Sequence, residues 1–242
     1  MHPFSTLPGE LISLLRGLGE AADQINGRAY LIGAYPRSII TKKDCSDIEI
    51  IVTGAVERFT DHFIDNYHII DKKNIHVEGR YSFVNSPYSK GDYIRIARAR
   101  KTEKEDSGNV VTEAFSRGVS IDSLCINLSG KYFGHIYDPA GAFEDIENKV
   151  LRLLHRNIFE VEPVFIFRAV YYAAKYGLSW EPITETVWRN AIKRGLHKNV
   201  PEKEIKIILK AIKKEKYGKS ALKLLKEAKV LKPRGLWPWK IR

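Results

Sequence analysis

The apolar residues of this chain change their period near residue 140, and that change limits the folds open to it. Beyond residue 144, Phe167, Val170, Tyr171 and Ala174 recur at i, i+3, i+4 and i+7. Ile205, Ile208, Leu209 and Ile212 repeat the spacing, as do Ala221, Leu224, Leu225 and Ala228. Each set forms one stripe of a helix, so the C-terminal part is expected to be a helical core. Before residue 140 the apolar runs are short and broken by turn residues. Residues 30–32 and 48–52 read as strands, with further strands expected at 76–83, 93–97 and 121–128. Leu11, Leu14, Leu15 and Leu18 predict an opening helix, capped by Ser5 or Thr6 with Pro8 in its first turn. Short helices are expected around Ile39 and Ile40 and at 56–63, a charged loop at 101–108, and a turn at Ser129-Gly130-Lys131. The fold class is α+β: a head at 1–140 built on a small mixed sheet, then an all-helical part at 141–242.

Charge narrows the partners. The chain carries a formal net charge of +11, which favours an anionic surface such as RNA or a ribonucleoprotein. The excess is concentrated: from Arg189 to Arg242 there are eighteen Lys or Arg against four Glu, on helices whose apolar stripes orient them. The tail Trp237-Pro238-Trp239 would either pack on those helices or stack on a base. Cys45 and Cys125 have no partner spacing for a disulfide framework or a zinc site, which fits a reducing compartment, cytoplasmic or an organelle matrix. No apolar run approaches the roughly 18 residues that span a bilayer. The first residues lack a basic stretch followed by an apolar one, so no secretory leader and no membrane partner are expected.

The chemistry-bearing feature is the pair Asp47 and Glu49. Side chains alternate along a strand, so two acids two residues apart share a face and can share divalent cations. The turn before them contains Gly33 and leads to Arg37, a combination that could hold a phosphate chain. Metal, phosphate and a basic protein together suggest nucleotidyl transfer to RNA. Asp92, just before the strand expected at 93–97, is a further acid that is not counted in this site.

Several blocks resemble the class II tRNA nucleotidyltransferase (CCA-adding enzyme) and bacterial poly(A) polymerase family. Gly33-Ala34-Tyr35-Pro36-Arg37-Ser38 stands where that family has Gly-Gly-x-Val-Arg-Asp, and Asp47-Ile48-Glu49 at its Asp-x-Asp. Arg117-Gly118-Val119-Ser120-Ile121-Asp122-Ser123-Leu124 is similar to Arg-Asp-Phe-Thr-Ile-Asn-Ala-Leu. The run from Asp138-Pro139 to Leu151-Arg152 is close to the family's Asp-Pro-x-Gly-Gly-x-x-Asp-Leu-x-x-Lys-x-Leu-Arg, and its length and order make it the most specific match. Phe159-Glu160-Val161-Glu162-Pro163 to Arg168-Ala169 follows the next family block. The resemblance implies a nucleotidyltransferase head followed by a helical neck, without the body and tail of full-length members. It implies Asp47 and Glu49 as catalytic ligands of Mg2+. It implies Gly33, Arg37, Arg117, Asp122, Glu162 and Arg168 as the nucleotide-binding set.

The departures from that pattern bear on function. Phe165 stands where the family has a base-reading arginine, and a phenyl ring has no donor. Gly118 replaces an aspartate used near the ribose, Asp122 replaces an asparagine and Ala34 the second glycine. Two readings follow. One is a metal-dependent enzyme that adds nucleotides from a nucleoside triphosphate to a tRNA-like 3′ end. The other is an inactive family member that serves as an RNA- or ribonucleoprotein-binding component. A small-molecule nucleotidyltransferase would share the metal logic but leaves the basic helices without a purpose.

Overall fold

The structure, a computed structural model, describes residues 3–5, 7–43, 47–54, 59, 75–78, 81–85, 93–100 and 108–231. It divides into two compact units, Met1–Phe143 and Glu144–Arg242.

The first unit is built on a seven-stranded mixed sheet: β1 (Ala29–Ile32), β2 (Glu49–Val52), β3 (Ile75–Glu78), β4 (Tyr81–Asn85), β5 (Tyr93–Arg98), β6 (Cys125–Asn127) and β7 (Ile136–Tyr137). The spatial order is β3-β4-β5-β2-β1-β6-β7. β2 and β5 run parallel, and the other described neighbours are antiparallel. β1 and β2 are buried along their whole length, as expected of central strands covered on both faces. On one face Leu31, Ile50, Val52, Ile94, Ile96 and Ile126 meet Leu11, Leu14, Leu15 and Leu18 of α1 (Gly9–Gln24). On the other, Tyr30, Ile32, Ile51, Ala99 and Cys125 meet Ala114 of α3 (Val110–Phe115). α2 (Ala34–Thr41) follows β1 directly.

α1 lies unusually close to the sheet. A methyl group at Gly19 would sit 1.7 Å from the backbone oxygen of Leu128. The buried Ser129 hydroxyl bridges the same contact: it donates to the Gly19 carbonyl at 3.2 Å and accepts from the Ala29 N–H at 3.0 Å.

Among its described residues the second unit is helical apart from one two-residue parallel pairing of β8 (Val150–Leu151) with β9 (Ser179–Trp180). α4 (Ala142–Glu147) leads into it. α5 (Ile158–Val161), α6 (Phe165–Tyr176), α7 (Pro182–Lys193), α8 (Glu202–Lys214) and α9 (Gly218–Glu227) then follow. α6 packs against α7, α8 and α9. The expected stripes point inward: Phe167, Val170 and Ala174, then Ile205, Leu209 and Ile212, then Ala221 and Leu225 are all buried. Trp188 is fully buried on α7, and its Nε1 donates to the Ile166 carbonyl at 2.9 Å.

Some local expectations are corrected. The N-cap of α1 is Pro8, with no side-chain cap from Ser5. The single strand expected at 76–83 is two, β3 and β4, paired antiparallel with Glu78 opposite Tyr81, so only Gly79 and Arg80 connect them. The strand expected at 121–128 opens as a 3-10 turn, Ser120–Asp122, before β6 begins. The helix at 56–63 apart from Phe59, the loop at 101–107, Cys45, Asp92 and the Trp237-Pro238-Trp239 tail lie outside the described residues.

Alanine in place of glycine inside a helix normally adds about 1 kcal/mol of stability. Gly19→Ala is expected to do the reverse and cost about 1–3 kcal/mol, because the added methyl overlaps a backbone oxygen that cannot step aside. Thermal unfolding checks this, and an unchanged or raised Tm would show that α1 is not seated on Leu128.

Candidate functional site

The site grows from the start of β2. Glu49, the first residue of the strand, is only 7% exposed. Asp47 stands two residues earlier, just outside the strand, and is more open. Parallel pairing makes Arg95 of β5 the register partner of Glu49, and the Arg95 backbone N–H donates to the Ile48 carbonyl at 3.0 Å. The Arg95 guanidinium lies between the two acids: Nη2 is 3.2 Å from Asp47 Oδ2 and 3.6 Å from Glu49 Oε2.

The other oxygen of Glu49 is matched as well. Arg117 Nη2 donates to Glu49 Oε1 at 2.8 Å and to Glu113 Oε1 at 2.8 Å. Glu113, on α3, is fully buried. Its second oxygen accepts from the Arg100 backbone N–H at 3.0 Å, with Arg100 Nε at 3.9 Å. Asp47, Arg95, Glu49, Arg117, Glu113 and Arg100 thus form a run of alternating charge. The two acids do converge as their spacing predicts, but on a guanidinium. Arg95, Glu113 and Arg100 were not foreseen as site residues. The one local signal was Arg95 itself, a cation between the buried Ile94 and Ile96.

Gly33 closes one side of the cluster. Its φ of 77° and ψ of −119° are disfavoured for side-chain-bearing residues. A Cβ there would make only ordinary contacts, 3.7 Å from Arg117 Nη1 and 3.7 Å from Glu49 Oε2. Conformation rather than space therefore requires glycine. Ala34 needs no positive φ, since it begins α2, and Pro36 falls in that helix's first turn, where a missing N–H costs no helical bond.

Arg37 departs from its expected part. It is 5% exposed, and its guanidinium pairs with Asp122 of the 3-10 turn. Two residues expected to line a nucleotide instead join α2 to the segment before β6. A guanidinium buried on a carboxylate cannot reach a triphosphate without stranding its partner. Glu162 and Arg168 pair with each other at 3.6 Å on the surface of the second unit, where such a pair contributes little. Phe165 is a buried residue of α6 in ring contact with Tyr172. Burial pushes the Cys125 thiol up to about 12, so it remains protonated at neutral pH.

The 138–152 block has a structural role. The Asp138 carboxylate accepts from the Ala142 and Phe143 N–H groups at 2.6 and 2.9 Å and so holds the start of α4. Asp145 receives Arg152 through Nε at 2.9 Å and Nη2 at 2.8 Å.

These residues do not suit Mg2+. That ion prefers an octahedron of oxygens, with at least one or two carboxylates free to approach it. Here the facing oxygens of Asp47 and Glu49 are matched to guanidinium groups. Among the described residues no group of three His, Cys, Asp or Glu could hold a metal ion.

Removing Arg117 would take a charged partner at 2.8 Å from both Glu49 and the fully buried Glu113. Arg117→Ala is expected to cost about 3–5 kcal/mol, the usual penalty for breaking a buried ion pair from one side. Adding Glu113→Gln should recover part of that loss. Urea unfolding of the single and double variants checks both signs, and a loss below about 1 kcal/mol in Arg117→Ala would mean the pairing is a surface effect.

Comparison with known proteins places the chain. The poly(A) polymerase head domain family matches residues 29–152, more than half of the 242-residue chain. The A-adding tRNA nucleotidyltransferase of Geobacter sulfurreducens is 25% identical over 199 residues, covering 78% of this chain and 22% of that protein. The enzyme of the same name from Aquifex aeolicus is 25% identical over 193 residues, covering 76% of this chain and 23% of its own. The chain therefore spans under a quarter of the length of these relatives. Among solved structures, the Thermotoga maritima CCA-adding enzyme complexed with tRNA shares the fold, with a TM-score of 0.80 at 23% identity over 94% of this chain and 53% of that one. By sequence match and by fold, the chain belongs to the poly(A) polymerase head domain family.

Proposed function

We propose that this protein binds structured RNA of the tRNA type through the cationic face of its helical unit, and that its role is to hold RNA rather than extend it. The observation that carries this reading is the surface of α8. Its apolar stripe, Ile205, Leu209 and Ile212, is buried. Lys203, Lys210 and Lys214 stand exposed on the opposite side at i, i+7 and i+11, with Lys206 and Lys213 beside them. At 1.5 Å of rise per residue that row spans about 16 Å, enough to track several phosphates of one backbone. α9 adds exposed Lys219, Lys223 and Lys226 at i, i+4 and i+7. Relatives named as tRNA nucleotidyltransferases, and a solved enzyme of the same fold complexed with tRNA, support tRNA-like RNA as the partner class.

Each phosphate neutralised by a lysine releases counterions, so binding should weaken steeply with salt. Binding to a tRNA transcript should give a steep negative slope of log affinity against log salt. Replacing Lys203, Lys210 and Lys214 together by alanine should flatten that slope by roughly 2 to 3 and weaken binding about tenfold or more at low salt, whatever the sequence. Binding that ignores salt, or survives the triple substitution unchanged, would sink the proposal. A parallel arm tests nucleotide addition: the protein with Mg2+, CTP or ATP and a tRNA lacking its 3′ end, beside Asp47→Ala. No extension is expected. Extension that disappears in Asp47→Ala would establish the enzymatic reading instead.

A further inference from the structure

We infer that Arg95 is the resident cation of the Asp47–Glu49 pair, and that the pair is a structural tie between β2 and β5 closed to divalent ions. This stands apart from the RNA reading, because it concerns the sheet unit alone. Three observations carry it. The first is placement. Parallel register sets Arg95 beside Glu49, and a backbone bond from Arg95 N–H to Ile48 O pins its Cα there. The side chain springs from the strand next to the acids and need only extend across the gap. The second is geometry. One nitrogen, Nη2, lies within 3.2 Å of Asp47 and 3.6 Å of Glu49, between the two carboxylates, where a shared metal ion would also sit.

The third is charge. Asp47, Glu49 and Glu113 alternate with Arg95, Arg117 and Arg100, three acids against three cations. A divalent cation is drawn to a surplus of negative charge, and among the described residues this run has none. To enter, the ion would have to displace Arg95 from two carboxylates at once and leave its half-buried guanidinium without them. Glu49 could not turn freely toward the newcomer, because its other oxygen is bound by Arg117.

The test is Mn2+ binding to the full chain, free of RNA, followed by calorimetry and by the loss of the free-ion paramagnetic resonance signal. The wild-type protein is expected to show no saturable Mn2+ site. Arg95→Asp removes the cation and adds a third acid, and should gain one Mn2+ site at least about tenfold tighter than any wild-type binding. That gain should vanish when Asp47→Asn is added. Arg95→Met, which keeps the aliphatic stem, provides a milder variant if the aspartate is not tolerated. The tie has its own readout: in the absence of metal, Asp47→Asn in the wild-type background should lower Tm, because Arg95 loses a partner. A saturable wild-type Mn2+ site abolished by Asp47→Asn overturns the inference whatever the variants do. So does a folded Arg95→Asp protein that binds no more Mn2+ than wild type.

Discussion

The parallel pairing of β2 with β5 is the constraint on which the head depends. It fixes which residue faces Glu49, and that residue is an arginine. Glu49 opens a central strand that is buried along its length. A carboxylate so placed must be neutralised or compensated, because burying an unpaired charge costs far more than any packing there returns. Arg95 compensates it from the neighbouring strand and Arg117 from the end of α3. Arg117 in turn makes it feasible to bury Glu113, which anchors the backbone of Arg100 just beyond β5. Strand, helix and loop are held by one continuous run of charge.

The family-like motifs acquire a second meaning in this light. Asp138 caps α4, Asp145 holds Arg152, and Arg37 holds Asp122. The first holds a helix start, the second closes a local span of seven residues and the third joins segments distant along the chain, and none of these bonds needs a nucleotide. Such residues can persist in a chain whose chemistry has changed, since losing them costs stability. Matching motifs therefore report shared architecture more strongly than shared catalysis. The positions that differ from the pattern carry the information about chemistry. Phe165 is such a position, and in the structure it is a core residue of α6.

Much of the architecture was legible because it depends on local period. The stripes ending at Ala174 and Ile212 and the apolar strands after Arg28 and Asp47 need only their own neighbours to be read. The errors arose where local patterns were ambiguous. Gly79-Arg80 is short enough to look like the middle of one strand, and Ile121 suits a 3-10 turn as well as a strand. The site was legible by halves. Asp47 and Glu49, one just before β2 and one at its first residue, come together on the Arg95 guanidinium. What they meet could not be read locally, because it depends on the pairing of strands more than forty residues apart in the chain. The cation between Ile94 and Ile96 was the missing clue, since a charge between two buried isoleucines lies on the opposite face and needs a partner there.

The electrostatics of α8 point the same way as its shape. Glu202 and Glu204 in its first turn and Lys213 and Lys214 in its last all suit the helix dipole. Their presence is explained by helix stability alone. Lys203 is not, because it places a positive charge in the first turn, where the free N–H groups already make the helix end positive. Lys210 gains nothing from either end. Both are exposed and align with Lys214, while the burial of Ile205, Leu209 and Ile212 on the opposite side holds the helix in place. Two of the three lysines in that row gain nothing from the helix dipole, and under the proposed RNA reading the row would meet an anion outside the protein. A phosphate backbone supplies that anion at a repeat that consecutive helical turns can follow.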